Sequence, residues 1–127
     1  LKISNQNASV LIAADIEKQA ESVLLREQPD QLSSSVLIVP HHGSNTSSTR
    51  AFLQQVHPEL AVYSSGFLNR YGFPRAEVIE RYQQLDIKQV NTAENGHIWL
   101  KIDQQGRLHG PIGQRQTLQR YWHRQAN

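Results

Sequence analysis

The chain has 127 residues and a formal net charge of +2, enough for one domain with a modest core and too little for several. It has no cysteine, which excludes disulfides and thiolate metal ligands, and no run of about 20 apolar residues, so no segment is expected to span a membrane. All 11 acids fall within residues 1–103, whereas Arg107, Arg115, Arg120 and Arg124 follow without one, which makes 104–127 a basic C-terminal tail. The chain lacks methionine, opens on Leu1 and has no basic-then-apolar leader, so it is expected to be an excised segment.

Taken in order, the residues predict a strand over 10–14, a helix over about 16–28, a strand over 36–39 and a helix over about 49–56. There follow a strand over 60–64, a helix over about 75–85 opened by Pro74, strands near 87–91 and 97–102, and a terminal helix near 114–124. Gln104-Gln105-Gly106 reads as a turn. Strands alternating with helices predict an α/β fold with a layered sheet. In the tail, Leu118, Tyr121 and Trp122 are spaced to pack on the body with the arginines facing water. The same charge and aromatic rings also suit contact with nucleic-acid phosphates and bases.

Chemistry is expected where two apolar strands stop. Val36-Leu37-Ile38-Val39 ends at Pro40 and presents His41-His42-Gly43-Ser44, while Val10-Leu11-Ile12-Ala13-Ala14 delivers Asp15 and then Glu17. Ligands collect at the carboxyl ends of strands in α/β proteins, and a carboxylate with imidazoles is a common set for zinc or manganese. From the residues alone, Asp15 is better read as the N-cap of the next helix than as a ligand. Glu17 sits where acids are favoured in a first helical turn, or it orients a water or a histidine. Neighbouring side chains on an extended segment point to opposite sides, so His41 and His42 are expected to do different jobs. Ser44, Asn45, Thr46 and Ser47 suit either the cap of the following helix or a phosphate at its N-terminus. Asn69-Arg70-Tyr71 reads by composition as a turn, with phosphate contact by Arg70 and base stacking by Tyr71 as the functional alternative.

Several stretches resemble the metallo-β-lactamase-type domain of ComEC DNA-internalisation proteins. They are Ala14-Asp15-Ile16-Glu17, Val39-Pro40-His41-His42-Gly43-Ser44-Asn45-Thr46-Ser47-Ser48, Asn69-Arg70-Tyr71-Gly72-Phe73-Pro74-Arg75-Ala76-Glu77-Val78, Thr92-Ala93-Glu94-Asn95-Gly96-His97-Ile98 and Tyr121-Trp122-His123. The resemblance runs from about residue 8 to the end, and its Pro-His-His-Gly-Ser stretch is the most specific part. Three departures matter: Ala14 stands where the family usually has glycine, Phe73 stands where many members have histidine, and no upstream His-x-Asp-x-Asp-His or His-x-His-x-Asp-His segment is present.

The resemblance implies that residues 1–127 are the C-terminal half of an αββα sandwich, with a mixed sheet and flanking helices. It implies a divalent metal site, zinc or manganese and two ions in a complete domain, with Asp15 and His42 as ligands. His41 and Glu17 are then assigned to catalysis, and Ser44, Asn69, Arg70 and Tyr71 to substrate binding. The implied activity is phosphodiester hydrolysis of DNA, single-stranded in particular, in natural transformation, where the family domain is suspected of degrading the strand that is not imported. The implied setting is a soluble, periplasmic domain of an inner-membrane channel protein, contacting that protein's other domains. Alone, the fragment is expected to be a poor enzyme and prone to self-association through an uncovered sheet face. A non-catalytic DNA-binding module with a vestigial metal site, and a small-molecule phosphodiesterase of the same fold, are the alternatives.

Overall fold

The computed structural model describes residues 1–118. At its centre is a five-stranded mixed sheet in the order β1-β2-β3-β4-β5, formed by β1 (Lys2–Ser4), β2 (Ser9–Ile12), β3 (Val36–Ile38), β4 (Leu60–Tyr63) and β5 (Lys88–Asn91). β1 runs antiparallel to β2 at one edge, and β2 to β5 are all parallel. Such parallel neighbours need crossovers, and these are supplied by α1 (Lys18–Glu27), α2 (Arg50–Val56) and α3 (Ala76–Gln83). A second sheet of β6 (Ile98–Ile102) and β7 (Leu108–Gly113) forms an antiparallel hairpin. Two single-turn helices, α4 (Thr92–Asn95) and α5 (Gln114–Thr117), flank it.

Strand alternation assigns the two faces of the large sheet. Leu11, Leu37, Ala61 and Tyr63, with Ala13 and Val39 just beyond the strands, form one core with Phe52, Leu53 and Val56 of α2 and Val78 and Tyr82 of α3. The intervening residues Val36, Leu60 and Val62 face the other way and pack against Ile98, Leu100, Ile102 and Leu108 of the hairpin. The order is therefore helices, sheet, hairpin sheet. Each fully buried leucine, valine or phenylalanine contributes about 1.5–3 kcal/mol to holding these layers together.

The helices begin and end for local reasons. α1 stops at Gln28 because Pro29 can neither donate a backbone N–H nor tolerate a helical predecessor. α2 opens at Thr49, whose hydroxyl accepts from Phe52 N at 3.4 Å, and closes on left-handed His57 before Pro58. That cap replaces the one expected from Ser44 to Ser47, which lie one turn too early. Glu21 of α1 is fully buried, and its carboxylate accepts from Ser48 N at 2.5 Å and Thr49 N at 2.9 Å. It thus binds the start of α2 to α1. Burial also pushes the hydroxyls of Tyr63 and Tyr82 far above the usual tyrosine range, so both remain protonated.

Two strands escaped the sequence reading. β1 is short and exposed throughout, and β7 is interrupted by Gly110-Pro111, so neither shows the apolar alternation that marks a strand. The expected turn is present: Gly106 N donates to Asp103 O at 3.0 Å. The Asp103 carboxylate accepts from Gln105 N, Arg107 N, Arg107 Nε and His109 Nε2, each at 2.9 Å. These bonds, His109 first and the Arg107 backbone next, hold Asp103 well below the usual carboxylate range. Of the helix expected near 114–124, the described part is α5, and Tyr121, Trp122, Arg120 and Arg124 lie outside the described residues.

Candidate functional site

Parallel register places the candidate residues on one edge. Ile12, Ile38 and Val62 stand opposite one another in β2, β3 and β4, so the segments beyond them leave the sheet side by side at its carboxyl end. His41 N donates to Ala14 O at 2.9 Å and Val39 N to Val62 O at 3.0 Å, extending the alignment past the strands.

The chain then turns sharply. His41 (φ 48°), His42 (φ 56°) and Gly43 (φ 87°) are consecutive left-handed residues, and Ala14 on the adjoining segment is left-handed too (φ 52°). The extended conformation expected for the two histidines is therefore replaced by a tight turn. Non-glycine residues held this way cost on the order of 1–3 kcal/mol each and persist where the surroundings fix them. Here the fixing comes from below, because a Cβ on Gly43 would lie 2.5 Å from Pro74 Cβ, and Arg75 N donates to Gly43 O at 3.0 Å.

The turn gives each imidazole its own partners. His42 Nδ1 lies 2.7 Å from the Ser64 carbonyl oxygen, which can only accept, so Nδ1 carries a proton. Nε2 of the neutral ring then presents its lone pair, 3.4 Å from Asp15 Oδ1. A cation beside both would be bound by two electron-pair donors that already face each other. Asp15 is not the N-cap of α1; that position falls to Glu17, with no side-chain cap bond.

His41 faces a different carboxylate. Its Nδ1 lies 3.2 Å from Glu17 Oε1 and 3.3 Å from Thr46 Oγ1, and Thr46 Oγ1 donates to Glu17 Oε1 at 2.7 Å. Glu17 only accepts, so Nδ1–H points to it and Nε2 is left as a base. This is a carboxylate-oriented imidazole, the arrangement used to hold a proton carrier in one tautomer. The two rings are 6.5 Å apart at 64°.

The chemistry of these donors fits a divalent cation of the zinc or manganese type. Ligating histidines present one nitrogen and donate the other N–H to a carbonyl, as His42 does to Ser64, and an aspartate oxygen is an ordinary companion. Among the described residues no three His, Cys, Asp or Glu side chains converge.

Beyond β4 a loop runs from Ser64 to Arg75 beside the histidines. Arg70 and Tyr71 are exposed, with Arg70 Nη2 donating to Tyr71 OH at 2.6 Å. Asn69 instead turns inward to brace the loop: its Nδ2 donates to Gly66 O at 3.0 Å and Phe73 O at 2.7 Å, and its Oδ1 accepts from Phe73 N at 2.9 Å. Ser44 is buried, its hydroxyl 3.0 Å from Thr46 Oγ1.

No protein-family model matches the chain. It is 36% identical over 106 residues to Competence protein ComA of Neisseria gonorrhoeae, an overlap of 84% of this chain and 15% of that protein. To ComE operon protein 3 of Bacillus subtilis (strain 168) it is 36% identical over 90 residues, 71% of this chain and 12% of that one. To Recombination protein 2 of Haemophilus influenzae it is 38% identical over 90 residues, 71% and 11% of the two chains.

The chain is ComEC-like.

The ComEC-like chain thus spans between 11% and 16% of the length of the curated relatives it matches. Among its described residues no helix is long and apolar enough to cross a membrane. Its fold is α/β with a mixed sheet and helices, as the alternating pattern implied.

The structure brings Asp15 to His42 and Glu17 to His41, and sets Arg70 and Tyr71 on the loop alongside. Two participants escaped the residue reading. Ser64 acts through its backbone carbonyl, which leaves no mark in residue type, and Thr46, expected at a helix cap or a phosphate, instead bridges Glu17 and His41. Ala14 is itself left-handed, a conformation that glycine adopts without strain.

Proposed function

We propose that this ComEC-like chain is the C-terminal part of a metal-dependent phosphodiesterase domain that cleaves DNA during natural transformation. The observation that carries the reading is His42, with Nδ1–H bound to Ser64 O and Nε2 turned to Asp15. Zinc or manganese, two ions in the complete domain, would be held by Asp15 and His42 together with residues of an upstream segment. Such ions supply an activated water and neutralise charge developing on the phosphate.

The chain's own residues do the rest. His41, oriented by Glu17 and Thr46, holds or moves a proton at Nε2. Arg70 offers its guanidinium to a phosphate and Tyr71 its ring to a base, while Ser44 acts by holding the turn through Thr46 and Asn69 by holding the loop. Asp15 and Glu17 repel a phosphodiester that approaches this edge, and a cation held between them would offset that repulsion.

The order of helices, sheet and hairpin sheet supports reading the fold as half of a metallo-β-lactamase-type αββα sandwich. The partners proposed are single-stranded DNA, the other domains of a membrane channel protein and, for the fragment alone, further copies of itself. A periplasmic setting in the inner membrane follows from the family reading.

A second reading is a non-catalytic DNA-binding module, favoured by the exposed Arg70 and Tyr71 together on the loop beside the histidines. The deciding experiment is manganese- or zinc-dependent cleavage of single-stranded DNA by a longer form carrying an upstream histidine and aspartate segment. Loss of cleavage in both Asp15→Ala and His42→Ala is expected. A folded, metal-free and inactive longer form would leave the binding module standing.

A further inference from the structure

Three aromatic rings of the loop between β4 and α3 each carry an arginine. The guanidinium of Arg115 lies 5.3 Å from the ring centre of Phe67, that of Arg70 lies 4.8 Å from Tyr71, and that of Arg75 lies 5.5 Å from Phe73. Tyr71 and Phe73 also stack on each other, centroids 5.6 Å apart with their planes at 21°, and Phe73 meets His41 edge-on at 6.0 Å. The rings therefore form a line, His41 to Phe73 to Tyr71, that leads from the strand edge to a tyrosine 54% exposed.

This line is built, not incidental. Gly72 at φ 63° reverses the backbone between the two rings, and Asn69 grips both the N–H and the carbonyl of Phe73. A surface fixed beforehand loses little conformational freedom when a ligand settles on it. The chemistry it offers is a pair of stacked rings with a guanidinium over each, which matches a nucleotide base with its neighbouring phosphates once an arginine swings off its ring. Bases inside a duplex have their faces covered by adjacent pairs, so only an unpaired strand presents a face to stack.

We propose that the Tyr71–Phe73 stack is a platform for an unpaired base, with Arg70 and Arg75 on the flanking phosphates, and that it gives the site its preference for single strands. This deepens, and rests on, the phosphodiesterase reading. A base arriving over Tyr71 takes the place of the Arg70 guanidinium and leaves it free for the adjoining phosphate. Phe73, stacked on Tyr71 and edge-on to His41, then acts as a specificity-determining residue, and Asn69 as the positioning residue that holds it.

The test measures binding of the 127-residue chain to a labelled oligothymidylate and to a duplex of equal length, by fluorescence anisotropy in EDTA. Tyr71→Leu and Phe73→Leu are each expected to weaken single-strand binding about tenfold while leaving duplex binding unchanged, the loss typical of one stacked base. Arg70→Gln and Arg75→Gln should weaken both ligands alike and lower the salt slope on the single strand by about 0.7 each. Asn69→Ala should reproduce the Phe73→Leu loss. Tyr71 is exposed, so its variant carries the test even if Phe73→Leu misfolds by circular dichroism. An unchanged ratio of single-strand to duplex affinity in Tyr71→Leu overturns the proposal, as does binding to anionic lipid vesicles with none to the oligonucleotide. Because EDTA removes metal, intact binding without cleavage by the longer form sinks the hydrolase reading alone; cleavage with an unchanged ratio sinks the platform alone.

Discussion

His42 Nε2 and Asp15 Oδ1 face each other at 3.4 Å across two parallel strand ends, with the opposite ring nitrogen fixed on the Ser64 carbonyl at 2.7 Å. Parallel register brings the two segments together, since 26 positions separate Ile12 from the Ile38 it stands beside, and the left-handed turns at Ala14 and at His41-His42 then face the two side chains.

If the pair binds metal, zinc titrated into the chain and followed by calorimetry should show a site that Asp15→Asn and His42→Ala each weaken at least tenfold. Asp30→Asn, an exposed acid elsewhere, should leave it unchanged. Equal affinity in all four proteins would rule out these residues as ligands.

Gly43→Ala is expected to destabilise the fold by about 2 kcal/mol or more in urea unfolding, because the new Cβ meets Pro74 and the backbone sits at φ 87°. Ala14→Gly tests the other side of the same turn. Relief of left-handed strain is offset by the added freedom of the unfolded chain, so a gain between about 0 and 1 kcal/mol is expected. A clear loss of stability in Ala14→Gly would contradict the strain argument.

Glu21→Ala should cost about 2–4 kcal/mol, because two buried N–H groups at the start of α2 lose their acceptor. Glu21→Gln keeps one acceptor oxygen and should cost less. Comparable midpoints for the alanine variant and the parent in thermal unfolding would show that another group caps α2.

Asp103 sets a pH dependence with a definite sign. Its carboxyl is depressed in the folded state, so its contribution is complete above the unfolded value near 3.8 and is lost as pH falls below that. The stability gap between the parent and Asp103→Asn should therefore be constant above about pH 5 and narrow progressively below about pH 4. A gap that widens on acidification would refute the assignment.

Much was legible in the residues themselves. Apolar runs predicted strands over 10–14, 36–39 and 60–64, which form as Ser9–Ile12, Val36–Ile38 and Leu60–Tyr63, and Pro74 marked the approach to α3, because burial and backbone restriction act locally. The edge carrying Asp15, Glu17, His41 and His42 was legible for the same reason: strands that end together expose the residues just beyond their last rungs. The exposed β1 and the glycine- and proline-broken β7 were not, since nothing in their own residues demands burial.

By itself, then, the sequence determined which residues end the strands and what donors they carry. Tertiary structure decided the pairing: Asp15 with His42 rather than with the start of α1, Glu17 with His41 through Thr46, and Phe73 between His41 and Tyr71. Side-chain partners depend on register and on left-handed backbone held in place by distant packing, here Pro74 beneath Gly43, and those are properties of the assembled sheet.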